Sequence, residues 1–408
     1  MCAGAIATRT LSVSSPVVTQ LTRCHESPCK QINNNHSPET KMKSHITLTA
    51  ISCSLAFTAL SPAVESPQTD IHAGHEHHHT GHEHDDQAPI GVMGSHTHGA
   101  GEYMLSYRFM TMAMDGHRRG TQSLSAEDVF GLGYGVAASD MTMDMHMIGL
   151  MHAPTDKLTL MAMINFVEKE MNLTRKPAHG MGGHGGMMTD GMAGSHGGHG
   201  GDSFSHASSG LGDVTLSGIY KIKDANRRRI LLNLGLGLPT AGVEEKEHGM
   251  LLPYGMQLGS GTWDLKPGIT WLGQCENYSL GAQAMGTIRL EDENDAGYAL
   301  GDRLNLTAWA ARDLNESVSA SLRLSYTSAD TIEGHFSSHH GHAAPPFHQG
   351  NYGGDYLEGG IGLNFQIRQG ALKGHRLAIE GIFPLAQDLN GVGMERDYSV
   401  IAGWQFAF

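Results

Sequence analysis

Histidine is the residue type that first suggests chemistry. The chain carries 27 of them, and seven fall between His72 and His84. Within that stretch His75, His77, His78, His79, His82 and His84 alternate with Glu76, Glu83 and Asp85. Imidazoles two and three residues apart on a flexible chain can wrap Cu²⁺, Zn²⁺ or Ni²⁺ with several nitrogen ligands. Protons compete for each ligand, so such binding grows as pH rises through the imidazole range. Two glycine-rich stretches repeat the theme. One holds His179, His184, His196, His199 and His206 with Met181, Met187, Met188 and Met192; the other holds His335, His339, His340, His342 and His348. Mixed imidazole and thioether ligands suit copper in both oxidation states. Ordering so much glycine around an ion costs entropy, which keeps the expected affinity modest. The plainer alternative is a solvated polar tract in which these residues bind nothing.

Methionine is the second candidate. Twelve of the 23 methionines lie between Met104 and Met171. At period two, Met104, Met110, Met112 and Met114 share a face with Arg108, and Met161 and Met163 share one with Asn165 and Lys169. On the run between them, the charged pair Asp144 and His146 is expected to point inward, which turns Met143, Met145 and Met147 outward. The expected interior set is therefore Arg108, Met110, Met112, Asp144, His146, Met161 and Met163. The ordinary use of methionine, filling irregular gaps, is the competing reading. Asp144 and His146 have no nucleophile motif beside them, and no HExxH, GxSxG or phosphate-binding loop occurs. The chain is read as a non-enzyme that requires no cofactor, with Cu, Zn or Ni as its candidate ions.

These residues need elements to hold them. From Glu102 onward short runs alternate apolar and polar residues, as half-buried strands do. The clearest is Ile230, Leu232, Leu234, Leu236 and Leu238, with Asn233, Gly235 and Gly237 between. About twelve such runs can be counted, an even number as bacterial outer-membrane barrels use. Short turns at 154–156, 224–226, 274–277, 312–316 and 369–374 alternate with long connections, and both histidine-rich inserts fall in long ones. The alternate face is rich in Gly, Ser, Asn and Thr, which a wet lumen tolerates. Trp263, Trp271, Tyr278, Tyr398 and Trp404 fall near run ends, where aromatic girdles sit. A soluble β-sandwich would share the alternation but not these last two features. The expected fold is all-β: a transmembrane antiparallel barrel at 101–408, with external loops at 172–209 and 328–354.

The segment ahead of the barrel reads as export machinery. The apolar run 46–60 follows Lys41 and Lys43 and precedes Ser61-Pro62-Ala63, so 42–63 is expected to be a signal peptide and 1–41 an upstream extension. Ala50-Ile51-Ser52 before Cys53 makes a poor lipobox. Residues 64–100 are expected to form a disordered, histidine-rich periplasmic tail. Only Cys275 lies beyond the signal, so the exported chain can make no internal disulfide. No apolar stretch reaches the roughly 18 residues of a spanning helix. A formal charge of −14 with no basic stripe excludes nucleic acid as a partner.

Several motifs are also familiar. Ala88-Pro-Ile-Gly-Val-Met-Gly94, Gly101-Glu-Tyr-Met-Leu-Ser-Tyr107, Met141-Thr-Met-Asp-Met-His-Met147, Ala153-Pro-Thr-Asp156, Leu234-Gly-Leu-Gly-Leu-Pro-Thr240 and Gln257-Leu-Gly-Ser-Gly-Thr-Trp-Asp264 resemble the outer-membrane "transporter" family of the meta-pathway (MetA-pathway) of phenol degradation. The resemblance runs from about residue 88 to the end of the sequence and implies an outer-membrane channel that moves small hydrophobic molecules. The expected function is passive passage of a small solute, linked to copper, zinc or nickel handling. Capture of metal by histidine-rich segments displayed on a barrel, and uptake of small aromatic compounds, are the alternatives. Expected partners are outer-membrane lipid, the solute or metal ion, and the barrel assembly machinery, in a Gram-negative outer membrane.

Overall fold

Alternation along each strand puts branched and aromatic side chains on one face and small polar ones on the other, so the sheet must bury both faces in different media. In the computed structural model, which describes residues 87–177, 203–337 and 343–408, the sheet does this by closing on itself. The wall consists of β1 (Tyr103–Gly120), β2 (Val136–Thr155), β3 (Leu158–Arg175), β4 (Ser203–Leu211), β5 (Val214–Ala225), β6 (Arg228–Leu238), β7 (Asp264–Gln274), β8 (Tyr278–Arg289), β9 (Arg303–Asn315), β10 (Val318–Ala329), β11 (Gly354–Gln366) and β12 (His375–Ala407). All neighbours are antiparallel. β4 and β5 are two pieces of one wall strand, pairing with the upper and lower halves of β3. β12 is doubled: its first arm pairs with β11 and its second with β1. Side-chain bonds from Arg376 to Gln405 and from Trp404 to His375 show the two arms lying side by side. The chain thus crosses the wall twelve times, and the seam of β1 with β12, from Met104 opposite Ala407 to Ala113 opposite Tyr398, leaves no free edge.

Tyr103 and Phe408 exchange backbone hydrogen bonds of 2.9 and 2.8 Å, so the barrel begins and ends at one rim. The short turns share that rim. One of the two-residue turns, between β5 and β6, places Asn226 and Arg227 at φ of 56° and 58°, the geometry of a tight hairpin. Short turns mark the periplasmic side of such barrels. At the other rim lie the long connections and a six-residue helix, α1 (Ala126–Gly131), started by a Ser125–Asp128 capping box.

The outer face carries a belt of leucine, isoleucine and aromatic side chains such as Ile148, Leu322 and Ile361, the last 62% exposed. Such a belt is stable only against hydrocarbon. β2 is 20 residues long, whereas a tilted strand needs about ten to cross the apolar layer. Its upper half therefore stands in water beyond the membrane. The proposed leader at 42–63, the tail up to residue 86 and most of the first histidine-rich insert (178–202) lie outside the described residues. β3 extends to Arg175 and β4 starts at Ser203, so both strands reach into the span 172–209 assigned to a loop from sequence.

Candidate functional site: the lumen and its two closures

The first closure is at the periplasmic rim. Sequence reading assigns 87–100 to a disordered tail; instead 87–98 cross the lumen as a strap. Gly101, at φ 90°, turns the chain back from β1. His98 N–H then donates to Thr159 Oγ1 of β3 at 3.1 Å. Further along the strap Gln283 Nε2 of β8 donates to Met93 O (2.8 Å), Arg108 Nε of β1 to Ile90 O (3.1 Å) and Arg376 Nη2 of β12 to Ala88 O (2.5 Å). Gly91 N–H donates to Glu380 Oε2 at 2.9 Å, while Glu380 Oε1 accepts from Arg323 Nε at 2.7 Å. Glu380 is 1% exposed and Ile90 2%. Ile90 packs on Ala378, Ile382 and Ile401 beside Met110. These bonds run between wall side chains and strap backbone, so the strap adds no strand to the barrel.

The second closure is a cap of outer connections. Tyr254, Tyr298 and Phe336, drawn from three different loops, form an aromatic knot in which Tyr254 stacks on Phe336 at 4.0 Å. Burial pushes the Tyr254, Tyr298 and Tyr352 phenols up. Leu252 and Met256 of the cap pack on Met141 and Met171 of the inner wall. Lys169 Nζ pins the cap by donating to Gly255 O at 2.9 Å and Gln257 O at 2.5 Å. Asp213, in the break between β4 and β5, accepts from Thr240 N, Ala241 N, Ser260 N and Ser260 Oγ at 2.7–3.1 Å. The Pro-Thr240 and Gly-Ser-Gly motifs legible in the sequence are thus a loop anchor. Sequence reasoning missed Asp213, although Gly212-Asp213 between two alternating runs is a turn signal.

Between the closures, Arg108, Met110, Met112, Met161 and Met163 stand on the inner face. Asp144 and His146 do not, and this corrects the inward assignment. Tyr107, exposed on the outer wall, has its hydroxyl 2.7 Å from His146 Nδ1, and His146 Nε2 lies 3.9 Å from Glu168. Inward-facing Ser106 leaves no room for a side chain at Gly149, which fixes the odd-numbered residues of β2 inside. The physical reason is strand length: the outward charges of β2 project past the hydrocarbon, so nothing forces them into the lumen. Met143, Met145 and Met147 consequently face inward. The remaining inner wall is polar and buried, with Thr270, Gln283, Thr307, Ser321, Thr327 and Asn364.

Under the cap lies a cavity of about 210 Å³ lined by Met114, Met141, Met143, Met171 and Met394, with His117, Tyr356 and Arg396. The histidines singled out as metal ligands, His75 to His84, His184, His196, His199, His339, His340 and His342, all lie outside the described residues. Among the described residues no group of three His, Cys, Asp or Glu side chains is placed to hold a metal ion.

A closed twelve-crossing wall with an apolar belt outside, a strap across its interior and packed loops over its outer mouth defines a transmembrane β-barrel, resident in the outer membrane of a Gram-negative bacterium. The chain belongs to the family described as MetA-pathway of phenol degradation, which matches residues 156–366. Among solved structures it is similar to an outer membrane channel from Pseudomonas putida F1 (12% identity, TM-score 0.49, covering 76% of this chain and 97% of that one). It is also similar to the KdgM porin (9%, 0.35, 75% and 99%) and to a Pseudomonas aeruginosa FadL homologue (11%, 0.36, 75% and 90%). No curated protein matches the sequence.

Proposed function

We propose that the protein passes a small solute passively through the lumen, with the strap at 87–98 as its removable stop. The observation that carries this reading is the way the strap is held: by side chains of the wall and by apolar contacts of Ile90 with Ile382 and Ile401 and of Ala88 and Val92 with Trp309, all outside the strand ladder. Such a segment can leave without opening the barrel. The chain offers no nucleotide-binding motif as an energy source. Planar-bilayer conductance tests the proposal: the full chain should conduct rarely, and a variant lacking 87–98 should conduct more often, with the outer cap still limiting its openings. A folded barrel that stays silent after the deletion would overturn it.

A second reading, capture of metal ahead of the membrane, is favoured by the seven histidines of 72–84. A peptide of that segment should bind Cu²⁺ more tightly than Zn²⁺ at neutral pH, following the usual order for divalent ions. Most of that binding should vanish at about pH 5, where imidazoles are protonated. Calorimetric titration at both pH values checks it; unchanged affinity at the lower pH would remove the reading. Growth of a deletion strain across copper, zinc, nickel and small aromatic compounds would identify the solute.

A further inference from the structure

All twelve methionines between Met104 and Met171 face the lumen, and they stand on three adjacent strands. Cross-strand register arranges them in levels: Met104, Met151 and Met161 near the periplasmic rim, and Met114, Met141 and Met171 beneath the cap. Met110 opposite Met145 and Met112 opposite Met143 fill the levels between. Directly opposed residues on one face of a sheet have Cβ atoms roughly 5 Å apart, close enough for neighbouring thioethers to share one ion.

Gap filling does not account for this placement. The lipid-facing positions of the same strands are just as apolar, yet they carry Leu105, Ile148, Leu150, Leu160, Ile164 and Phe166 and no methionine. The sequence separates sulfur from hydrocarbon across the thickness of one wall. In the cavity under the cap five thioethers converge, and no carboxylate lines it. Its one guanidinium, Arg396, is paired to Glu358 at 3.1 Å and lies over the Tyr356 ring at 3.7 Å. His117 is tied to the wall, its Nε2 accepting from Ala138 N–H at 3.3 Å. A neutral, sulfur-lined pocket disfavours hard divalent ions and suits soft monovalent ones.

We propose that Met114, Met141 and Met171, with Met394 across the cavity, form a thioether site for a soft monovalent metal ion, Cu(I) or Ag(I), at the outer end of a methionine ladder. The inference rests on reading the lumen as the solute path, but its test is equilibrium binding, which is independent of conductance. Thioethers do not titrate, so binding of Ag(I) to the full chain in detergent at about pH 5.5 excludes most competition from imidazoles. The full chain should bind Ag(I) there with a sulfur shell in X-ray absorption. M114L/M141L/M171L, which conserves volume, should weaken the tightest Ag(I) equivalent at least roughly tenfold. M104L/M151L/M161L should keep it, and Zn²⁺ binding should not differ among the three proteins. If the triple variant fails to fold, judged by heat-dependent gel mobility, the single Met141→Leu variant serves, since Met141 sits in both cross-strand pairs. Equal affinity in the full chain and the variant beneath the cap, a shell of nitrogen and oxygen only, or no binding at that pH would overturn the site.

Discussion

Gly91 shows how little room the strap leaves. A Cβ there would lie 2.8 Å from Glu380 Oε2, 2.9 Å from Ile401 Cδ1 and 3.0 Å from Arg323 Nη2. Across the seam, a Cβ at Gly403 would meet Ile90 Cγ1 at 2.7 Å. Gly91→Leu and Gly403→Leu should therefore drive the strap out while the wall stays closed. Bilayer recordings should show raised open probability for both, with normal heat-dependent gel mobility; unchanged recordings would mean that the strap is not the stop. The Arg323–Glu380 pair is nearly buried, so its members are costly apart. Glu380→Leu alone should lower stability by about 3 kcal/mol, and Arg323→Leu on top of it should recover most of the loss. Denaturant midpoints of the three variants check this. None of these contacts was legible in the sequence, because each joins residues more than a dozen positions apart. What the sequence did offer was the Ala88–Gly94 run, apolar and glycine-bounded inside a polar stretch.

Strands were the most legible elements, since burial on two different faces writes period two directly into the chain. Phase was less so. On β2 the pair Asp144 and His146 outweighs the methionines when the inward face is chosen from sequence, and the strand's reach beyond the hydrocarbon reverses that choice. The outer cap was legible only as long connections; its packing depends on aromatic residues from three loops that have no shared periodicity. Its energetics give a pH prediction. Burial raises the phenols of Tyr254, Tyr298 and Tyr352 above their ordinary range. The stabilisation from keeping them neutral is then fully present below about pH 10, the ordinary phenol value, and is lost as pH rises through the raised values. Phenolate absorbance should show a late-titrating phase from these buried cap tyrosines, with the near-UV dichroism of the cap disappearing in the same step. Titration of every tyrosine in one ordinary transition would contradict a packed cap.

At the scale of the molecule, orientation follows from the rim that carries the short turns. Protease added to intact cells should cut within 178–202, and a cleavage site engineered at the β5–β6 turn should be reached only after the outer membrane is permeabilised. The reverse pattern would invert the barrel. The number of crossings and the apolar belt were available from composition and alternation; the occluded interior was not, because the chain stops its own lumen with residues that take no place in the wall. That arrangement also bears on assembly. The seam joins Met104 to Ala407, among the most distant pairings in the sequence, and loop closure favours nearer pairs first. Ile90 is gripped by Arg108 on one side of that seam and by Ile401 and Gly403 on the other. Because the strap touches both sides of the seam, its contacts favour the closing of the last strand pair without being required for it. Loss of its grip should then appear first as slow maturation, before any change in the finished barrel.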